Sequence, residues 1–283
     1  MNYFKYIISM LIFGTIGIIV KNINLPTTQI VFVRTIIASI MFILIFALTS
    51  KKINYKIVKK NLVYLILSGC CVGLNWVFLF ESYKYNSVGV ATLLYYTAPI
   101  IVIILSPFFL NERITFIKII SVFISVVGMY LVSGINISDF KANYGLFISL
   151  LGAFFYAMLM ICSKKITNLD GLNITFIQMF IACIVMGIYV LFINKERIVV
   201  PDNKSIVYLV ILGVIHTGFA CFLYFDSMNK LPTISVAVLS YIDPISSVFF
   251  ANIFLMEILT TKQIMGAVMI LCSTLFVQIF NRK

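Results

Sequence analysis

The sequence predicts an all-α integral membrane protein in which ten transmembrane helices form two inverted five-helix repeats. Three observations support this fold class: the composition, a series of apolar stretches and an internal repeat. Of the 283 residues, 62% are hydrophobic and 11% are charged, whereas a soluble domain is about 45–50% apolar and about 25% charged. The core of a soluble domain of this length cannot bury so many apolar side chains. We therefore expect a lipid bilayer to surround most of the chain.

Apolar stretches of about 20 residues, the length that a helix needs to cross the hydrocarbon layer, recur along the chain. Short polar segments such as Lys51-Lys52 and Lys164-Lys165 separate them. The alternating pattern of membrane β-strands does not occur in the sequence. No small-residue cleavage site follows the first stretch, so we expect a retained span and not a signal peptide. The ten predicted spans are 4–20, 27–49, 60–80, 87–109, 114–134, 144–162, 172–193, 205–226, 233–255 and 261–280.

The positive charge of the chain predicts its orientation in the membrane. The net charge is +12, but Lys and Arg are spread through the gaps between spans, which argues against a nucleic-acid interface. With the N-terminus inside, thirteen of these residues fall on the cytoplasmic side and seven on the outer side. Cytoplasmic loops carry the excess of Lys and Arg, so we expect both termini to be cytoplasmic, in a plasma or inner membrane. We interpret Lys51 to Lys60 as a solvated loop, with contact to anionic lipid as the alternative.

The two halves of the sequence resemble each other. Residues 32–38 (FVRTIIA) resemble residues 176–182 (FIQMFIA) at an offset of 144, which places Gln178 at the position of Arg34. Further residues match at an offset of 145 without a gap between Gly73 and Thr115. The matched pairs are Gly73/Gly218, Glu81/Asp226, Ser82/Ser227, Tyr96/Tyr241, Pro99/Pro244, Glu112/Glu257 and Thr115/Thr260.

This repeat predicts two units, residues 1–140 and 141–283, with five spans each. Because five is odd, the second copy must cross the membrane in the opposite direction to the first. Inverted repeats are a recurring architecture of secondary transporters, whose substrate site lies between the repeats near the middle of the membrane. The repeat therefore predicts a transporter that opens a central site to each side in turn.

Short motifs at equivalent places in the two halves resemble those of a known family. Arg34 follows Val33 in the second span. The fourth span of each copy contains a proline and is closed by a glutamate: Pro99 and Glu112 in the first copy, and Pro244 and Glu257 in the second. In these features the chain resembles the EamA family of the drug/metabolite transporter superfamily. That resemblance implies ten spans in two copies and secondary active or facilitative transport, with export expected, of small organic metabolites such as amino acids. Family members often have Gly before the closing acidic residue, where this chain has Asn111 and Met256, so the tight turn that Gly allows is not predicted.

Asp243 is the first candidate for the chemistry of transport. It lies near the middle of the ninth predicted span, where a charged side chain costs about 2.5–3.5 kcal/mol on insertion scales. The resemblance implies an acidic residue before Pro244, and this proline frees a helical carbonyl nearby. A carboxylate beside a free carbonyl suits a proton or a substrate ammonium group. The alternatives are a structural ion pair with Arg34 and a hydrogen bond to a neighbouring helix.

Two further ionisable residues lie inside predicted spans. Arg34, about seven residues into the second span, could hold a substrate carboxylate through two parallel hydrogen bonds, or it could permanently neutralise an acidic side chain. His216 is the single histidine and suits a proton relay because histidine titrates near neutral pH. A hydrogen-bonded packing role is the alternative for His216.

Aromatic and amide residues at similar depths predict the wall of a binding pocket. Small-ligand sites are mostly apolar and aromatic with a few polar anchors. Packing or lipid contact is the alternative, because aromatic residues make up 15% of the chain. The predicted pocket residues are Asn75, Trp76, Tyr95, Tyr96 and Tyr241.

Other motifs are interpreted as structural. The small residues of Gly69 to Gly73 predict close helix packing, and Glu112 and Glu257 are interpreted as anchors at helix ends. The six cysteines lie within apolar stretches and lack metal-ligand spacing, so we expect packing roles and neither a disulfide, a metal nor another cofactor.

The sequence also bears on competing functions. It contains no phosphate-binding loop, H-E-x-x-H or G-x-S-x-G motif, so an enzyme is not expected. The alternatives to a transporter are a channel or a non-transporting membrane receptor and, less favoured, an intramembrane enzyme. The expected partners are a small-molecule substrate, the lipid bilayer and, if transport is coupled, protons; nucleic acid is not expected. A monomer or a homodimer is compatible with the sequence.

Overall fold

The computed structural model describes residues 2–49, 54–110, 115–133, 140–193, 198–228, 230–231 and 239–280. All regular secondary structure in that part of the chain is helical. The α-helices are α1 (Asn2–Gly14), α2 (Ile16–Lys21), α3 (Thr27–Thr49), α4 (Tyr55–Lys60), α5 (Leu62–Ser82), α6 (Val88–Tyr95), α7 (Ala98–Leu110), α8 (Phe116–Ser133), α9 (Phe140–Lys164), α10 (Gly171–Ile188), α11 (Asn203–Ile211), α12 (Ala220–Met228), α13 (Ile242–Leu255) and α14 (Thr261–Phe280). Two π-helical segments, Tyr189–Ile193 and Leu212–Phe219, follow α10 and α11.

Within the described residues, eight helical stretches are long and apolar enough to cross a membrane. They correspond in order to the first eight predicted spans, and α13 and α14 contribute two shorter apolar helices. The predicted ninth span, 233–255, begins with residues 233–238, which lie outside the described part of the chain. The multi-span helical fold is therefore confirmed, and the count of ten stays a prediction. The eight stretches are Asn2–Lys21, Thr27–Leu48, Leu62–Ser82, Val88–Leu110, Phe116–Ser133, Asn143–Lys164, Gly171–Ile193 and Asn203–Tyr224.

Polar residues begin several helices where the apolar stretches start. The side chains of Ser87, Asp170 and Asp202 accept hydrogen bonds from backbone N–H groups of the first turns of α6, α10 and α11. The first N–H groups of a helix have no partner within the helix, so a side-chain acceptor at this position stabilises the helix start. These caps explain why the described helices begin close to the predicted boundaries.

Two membrane-spanning stretches, the first and the fourth, are each divided into two helices. The first span breaks at Thr15, between α1 and α2. The fourth span breaks at Tyr96 and Thr97, between α6 and α7, where Pro99 has no N–H to continue the hydrogen-bond ladder. Tyr241 stands immediately before α13 and its Pro244, so both members of the Tyr96/Tyr241 pair lie at a helix start.

The helices pack in a defined order. Helices α5, α6 and α7 of the first half contact α9 of the second half. Helices α12 and α13 of the second half contact α1 of the first half. Helix α3 packs against α10 and against the π segment Leu212–Phe219, while α8 packs along α14. Gly69 lies where α5 meets α10, and a β-carbon there would stand 2.6 Å from the β-carbon of Ile181. Close packing at this crossing therefore requires glycine, as the small-residue motif predicts.

The turn after α13 forms without glycine. Met256 adopts the left-handed conformation with a φ of 54°. The N–H of Glu257 donates to the carbonyl of Ala251 across this turn. The chain thus makes the tight turn that the missing glycine left unpredicted. Asn111 and Glu112, at the corresponding place in the first half, lie outside the described residues.

Candidate functional site

A cavity of about 990 Å³ lies between helices of the two halves. It is lined by α1, α2, α3, α5, α6 and α7 from the first half and by α9, α10, α12 and α13 from the second. Its wall includes the exposed Lys164 and the half-buried Gly171, so the cavity reaches the end of the bundle at which α9 ends and α10 begins. Seven of the eight predicted site residues line it: Arg34, Asn75, Trp76, Tyr95, Tyr96, Tyr241 and Asp243.

Asp243 is in the first turn of α13 and borders the cavity. The hydroxyl of Tyr96, from the break in the fourth span, donates a hydrogen bond to its carboxylate. A carboxylate in the first turn of a helix is favoured by the partial positive charge of the helix N-terminus. No ion pair joins Asp243 to Arg34: the two pairs seen among the described residues are Lys21–Glu257 and Lys84–Glu81. Of the two structural alternatives for Asp243, the hydrogen bond to a neighbouring helix is therefore present and the ion pair is not.

Arg34 is almost completely enclosed, with 1% of its surface exposed. Its Nε donates to the hydroxyl of Thr217 over 2.6 Å. The guanidinium carbon lies 3.8 Å from the ring centroid of Trp76 and 5.6 Å from that of Phe80. Nη1 is buried and has no hydrogen-bond partner. A cation over aromatic faces is partly stabilised by the ring electrons, but a buried unpaired N–H remains costly.

The polar aromatic residues of the wall hold one another in place. Tyr95 donates to the side-chain oxygen of Asn75 over 2.9 Å, and the Asn75 amide donates to the carbonyls of Cys71 and Val72. The ring of Tyr95 stacks on that of Tyr156, with centroids 4.9 Å apart and planes 4° from parallel. Asn75 is thus occupied by its own helix and by Tyr95, so it acts as a support of the wall.

His216 is the predicted site residue that the structure does not bring to the cavity. It lies in the π segment Leu212–Phe219 and borders a separate, largely apolar pocket of about 550 Å³. Its Nε2 is 2.8 Å from the hydroxyl of Thr15, at the break of the first span, and its Nδ1 is 3.2 Å from the carbonyl of Ile211. This placement corresponds to the hydrogen-bonded packing alternative and not to a relay inside the cavity.

Several lining residues were not among the predicted ones. Gln178 lies in the wall and donates to the hydroxyl of Ser163 over 2.9 Å. The repeat alone points to Gln178, because this residue stands at the position of Arg34. Tyr156 and the Arg34 partner Thr217 have no such signal in the sequence, because their roles depend on how the helices turn toward each other. The remaining tyrosines of the wall are Tyr6, Tyr83 and Tyr224.

Glu257 links the two halves at one end of the bundle. One carboxylate oxygen lies 2.8 Å from Nζ of Lys21, and the other accepts from the backbone N–H of Gly89 at the start of α6. This end is opposite to the one that the cavity reaches: Asn61, at the start of α5, bonds the backbone of Thr167 just past α9. At the far end of α5, the carboxylate of Glu81 accepts a hydrogen bond from Thr27 at the start of α3, the helix that follows α2 and its Lys21. Glu257 therefore acts as the interface anchor that the sequence predicts.

Comparisons with known proteins identify the family. Residues 2–134 and 143–279 both match the EamA-like transporter family. The chain belongs to the EamA-like transporter family. It is 31% identical over 269 residues to the uncharacterized transporter YxxF of Bacillus subtilis, a match that covers 94% of this chain and 86% of that protein. This family is one of membrane transporters, which agrees with the multi-span helical fold and points away from an enzyme.

More distant relatives widen this picture. The chain is 28% identical over 240 residues to an uncharacterized transporter of Archaeoglobus fulgidus, covering 84% of this chain and 83% of that one. It is 25% identical over 215 residues to a protein named as an S-adenosylmethionine uptake transporter in Rickettsia conorii, covering 75% of this chain and 71% of that one. A solved crystal structure superposes with a TM-score of 0.67 over 100% of this chain and 99% of that chain, at 14% identity. At that identity the likeness shows the fold alone.

Proposed function

We propose that this protein is a ten-span secondary active or facilitative transporter. In this proposal small organic metabolites, such as amino acids or related compounds, cross the membrane through the central cavity by alternating access, with export as the expected direction. The observation that carries the proposal is the pair of opposite charges in one aromatic-lined cavity. Arg34 and Asp243 face the same space without an ion pair to each other or to another described side chain. Charges held in this way inside a membrane protein are typical of substrate and ion pathways.

The two charges fit different parts of one substrate. The bare Nη1 of Arg34 can donate to a carboxylate, since guanidinium groups bind planar oxyanions well. Asp243 can accept a substrate ammonium group or a proton. The wall of the cavity includes seven tyrosines and Trp76, which suits an apolar or aromatic body. Arg34, Trp76, Tyr95, Tyr96, Tyr241 and Asp243 are the proposed contact residues, with Asn75 as a support.

We propose that residues 1–140 and 141–283 form two inverted units that move against each other, and the helix contacts support the equivalence of these units. When the halves are exchanged, the contacts of α9 with α5 and α7 become those of α1 with α12 and α13, and both sets occur. The contacts α3–α10 and α8–α14 each join a span to its own counterpart. The family match to both halves of the chain is also consistent with this division. Such a relation between repeats is common in carriers that rock around a central site.

The proposal also covers the orientation of the protein in the membrane, its oligomeric state and its coupling ion. Both termini are cytoplasmic, in a plasma or inner membrane, because the cytoplasmic gaps carry more Lys and Arg. One chain holds the complete cavity, so a monomer suffices for transport, and a homodimer is compatible with it. Protons are the proposed coupling ion if transport is active, with Asp243 as the group that carries them.

The first experiment is a ligand screen followed by a flux assay. Purified protein is heated with amino acids, amines, sugars, nucleotide precursors and S-adenosylmethionine, because a ligand of the native state raises the Tm with concentration. Each stabilising compound is then tested in proteoliposomes. We expect saturable uptake and counterflow, in which internal unlabelled substrate drives entry of labelled substrate. Flux that neither saturates nor shows counterflow would identify a channel, and stabilisation without flux would identify a receptor.

A further inference from the structure

We propose that Thr217 is a positioning residue that sets the guanidinium of Arg34 as the carboxylate receptor of the site. This inference rests on the proposed function, because it assigns a role within the same cavity. It concerns a residue that does not appear among the cavity-lining side chains and acts only through Arg34.

The hydroxyl of Thr217 has a fixed direction. It donates its proton to the carbonyl of Leu212 over 2.9 Å, five residues earlier in the π segment. Since a hydroxyl has one proton and two acceptor sites, the free acceptor side is turned away from Leu212. Nε of Arg34 donates to that side over 2.6 Å. Thr217 is fully enclosed, so water does not compete for this position.

The π segment Leu212–Phe219 explains why this threonine reaches Arg34. A π turn accommodates one more residue than an α turn and changes the direction of the side chains along it. Here two consecutive residues contact opposite neighbours: His216 approaches Thr15 of the first span, and Thr217 approaches Arg34 of the second. Thr217 and His216 thus connect the receptor to the break in the first span.

The contacts of the guanidinium hold its position and leave Nη1 as the group without a protein partner. Thr217 holds Nε at one edge, and the ring of Trp76 covers one face at 3.8 Å. Nη1 remains buried without a partner in the wall of the cavity. An arginine that is fixed at Nε and supported on a ring presents its remaining N–H groups in a constant direction, which favours a planar carboxylate.

Trp76 gives a direct measurement of this arrangement, because it is the single tryptophan of the chain. Its fluorescence reports whether the guanidinium stands over its ring, with or without substrate. We expect Thr217→Val to move the emission toward that of Arg34→Gln, and Thr217→Ser to keep the wild-type emission. The double variant Arg34→Gln/Thr217→Val should match Arg34→Gln. Thr35→Val is the matched control, since Thr35 is also buried and bonds its own helix at Phe32.

The same signal tests ligand chemistry with two probes, L-leucine and isopentylamine, which differ by the carboxylate. We expect Thr217→Val to weaken L-leucine binding about tenfold, as for a lost hydrogen bond to a charged group, and to leave isopentylamine binding unchanged. Wild-type emission in ligand-free Thr217→Val, or equal weakening for both probes, overturns the role of Thr217. If the wild type binds neither probe and no compound is transported, the proposed function fails, while the ligand-free spectra still decide the positioning role.

Discussion

Equivalent helices in the two halves differ in backbone and in chemistry. Helix α5 is α-helical throughout, from Leu62 to Ser82, whereas α11 and α12 are joined through the π segment Leu212–Phe219. In the register of Gly73 and Gly218, Val72 of α5 stands where Thr217 stands in the second half. Valine offers no hydroxyl, so the copy of the helix that lacks the π segment also lacks the hydrogen bond.

The same contrast applies to the partners of these residues. Arg34 contacts Thr217, while its counterpart Gln178 bonds Ser163. Asp243 has Ala98 as its counterpart, which is fully buried. The two copies share the Tyr96/Tyr241 pair beside a helix start, but Arg34 and Asp243 each occur in one copy alone. The repeat therefore supplies a symmetric frame, and asymmetric substitutions within it supply the ligand chemistry.

The largest expected effect comes from removing the charge of the second half. If Asp243 carries the coupling proton, Asp243→Asn should abolish uptake driven by a pH gradient and leave substrate exchange intact, because an amide cannot take up and release the proton. Both are measured in proteoliposomes, with an imposed pH gradient and with counterflow. Asp243→Glu, which keeps a carboxyl group, should retain part of the driven uptake. Full pH-driven uptake by Asp243→Asn would remove the coupling role.

The second largest effect, on ligand binding, is expected when Arg34 is replaced by glutamine, the residue at the equivalent position of the second half. Arg34→Gln should weaken binding of L-leucine by about 10- to 100-fold, because charged hydrogen bonds contribute about 1.5–3 kcal/mol. Binding of isopentylamine should change little, since it has no carboxylate. Gln178→Leu is the control at the equivalent position, and we expect a smaller loss for it. Equal losses for Arg34→Gln and Gln178→Leu would contradict the asymmetry of the two copies.

A smaller effect, on thermal stability, is expected from His216, which lies in the π segment and faces away from the cavity. His216→Leu removes a buried hydrogen bond to Thr15, which contributes about 1 kcal/mol, so the Tm should fall by about 2–4 °C. Transport and its pH dependence should persist, because His216 lies outside the cavity. Loss of pH-driven uptake at unchanged counterflow would instead restore the proton-relay interpretation.

The smallest effect concerns two ion pairs at one end of the bundle. Lys21–Glu257 joins the halves, whereas Lys84–Glu81 lies within one half. Lys21→Met should lower the Tm slightly, because a partly exposed ion pair contributes up to about 1 kcal/mol to the free energy of unfolding. Added salt should reduce the difference in Tm between the variant and the wild type. Lys84→Met serves as the control and should leave the Tm unchanged. Indistinguishable Tm values for both variants would show that the Glu257 contact does not hold the halves together.

Much of the frame could be predicted from hydropathy and the repeat. Apolar length locates the spans, and prolines locate the helix break beside Tyr96 and the helix start beside Tyr241. The depth of a residue in the membrane also follows from its position along a span. Arg34, Trp76 and Asp243 were placed near mid-membrane in this way, and all three line the cavity. Depth does not give the direction of a side chain around its helix. That direction places Trp76 at the cavity.

The same missing information explains the differences. His216 has a suitable depth, but the π segment turns it toward Thr15, and no propensity of these residues indicates a π turn. Asn75 was expected as a ligand anchor, whereas its amide is occupied by carbonyls of its own helix. The ring stack of Tyr95 on Tyr156 joins residues from different halves and depends on how α9 packs. Contacts of this kind arise from packing between distant helices and leave no local pattern.

Met256 has a practical consequence for work on the purified protein. Its backbone is left-handed and its side chain is 81% exposed, so the side chain contributes little packing while the backbone conformation is unfavourable by about 1–2 kcal/mol for a residue other than glycine. Glycine adopts this conformation freely. We therefore expect Met256→Gly to stabilise the protein at the end of α13 opposite to Asp243, which would suit crystallisation or cryo-microscopy of a variant with an unchanged cavity.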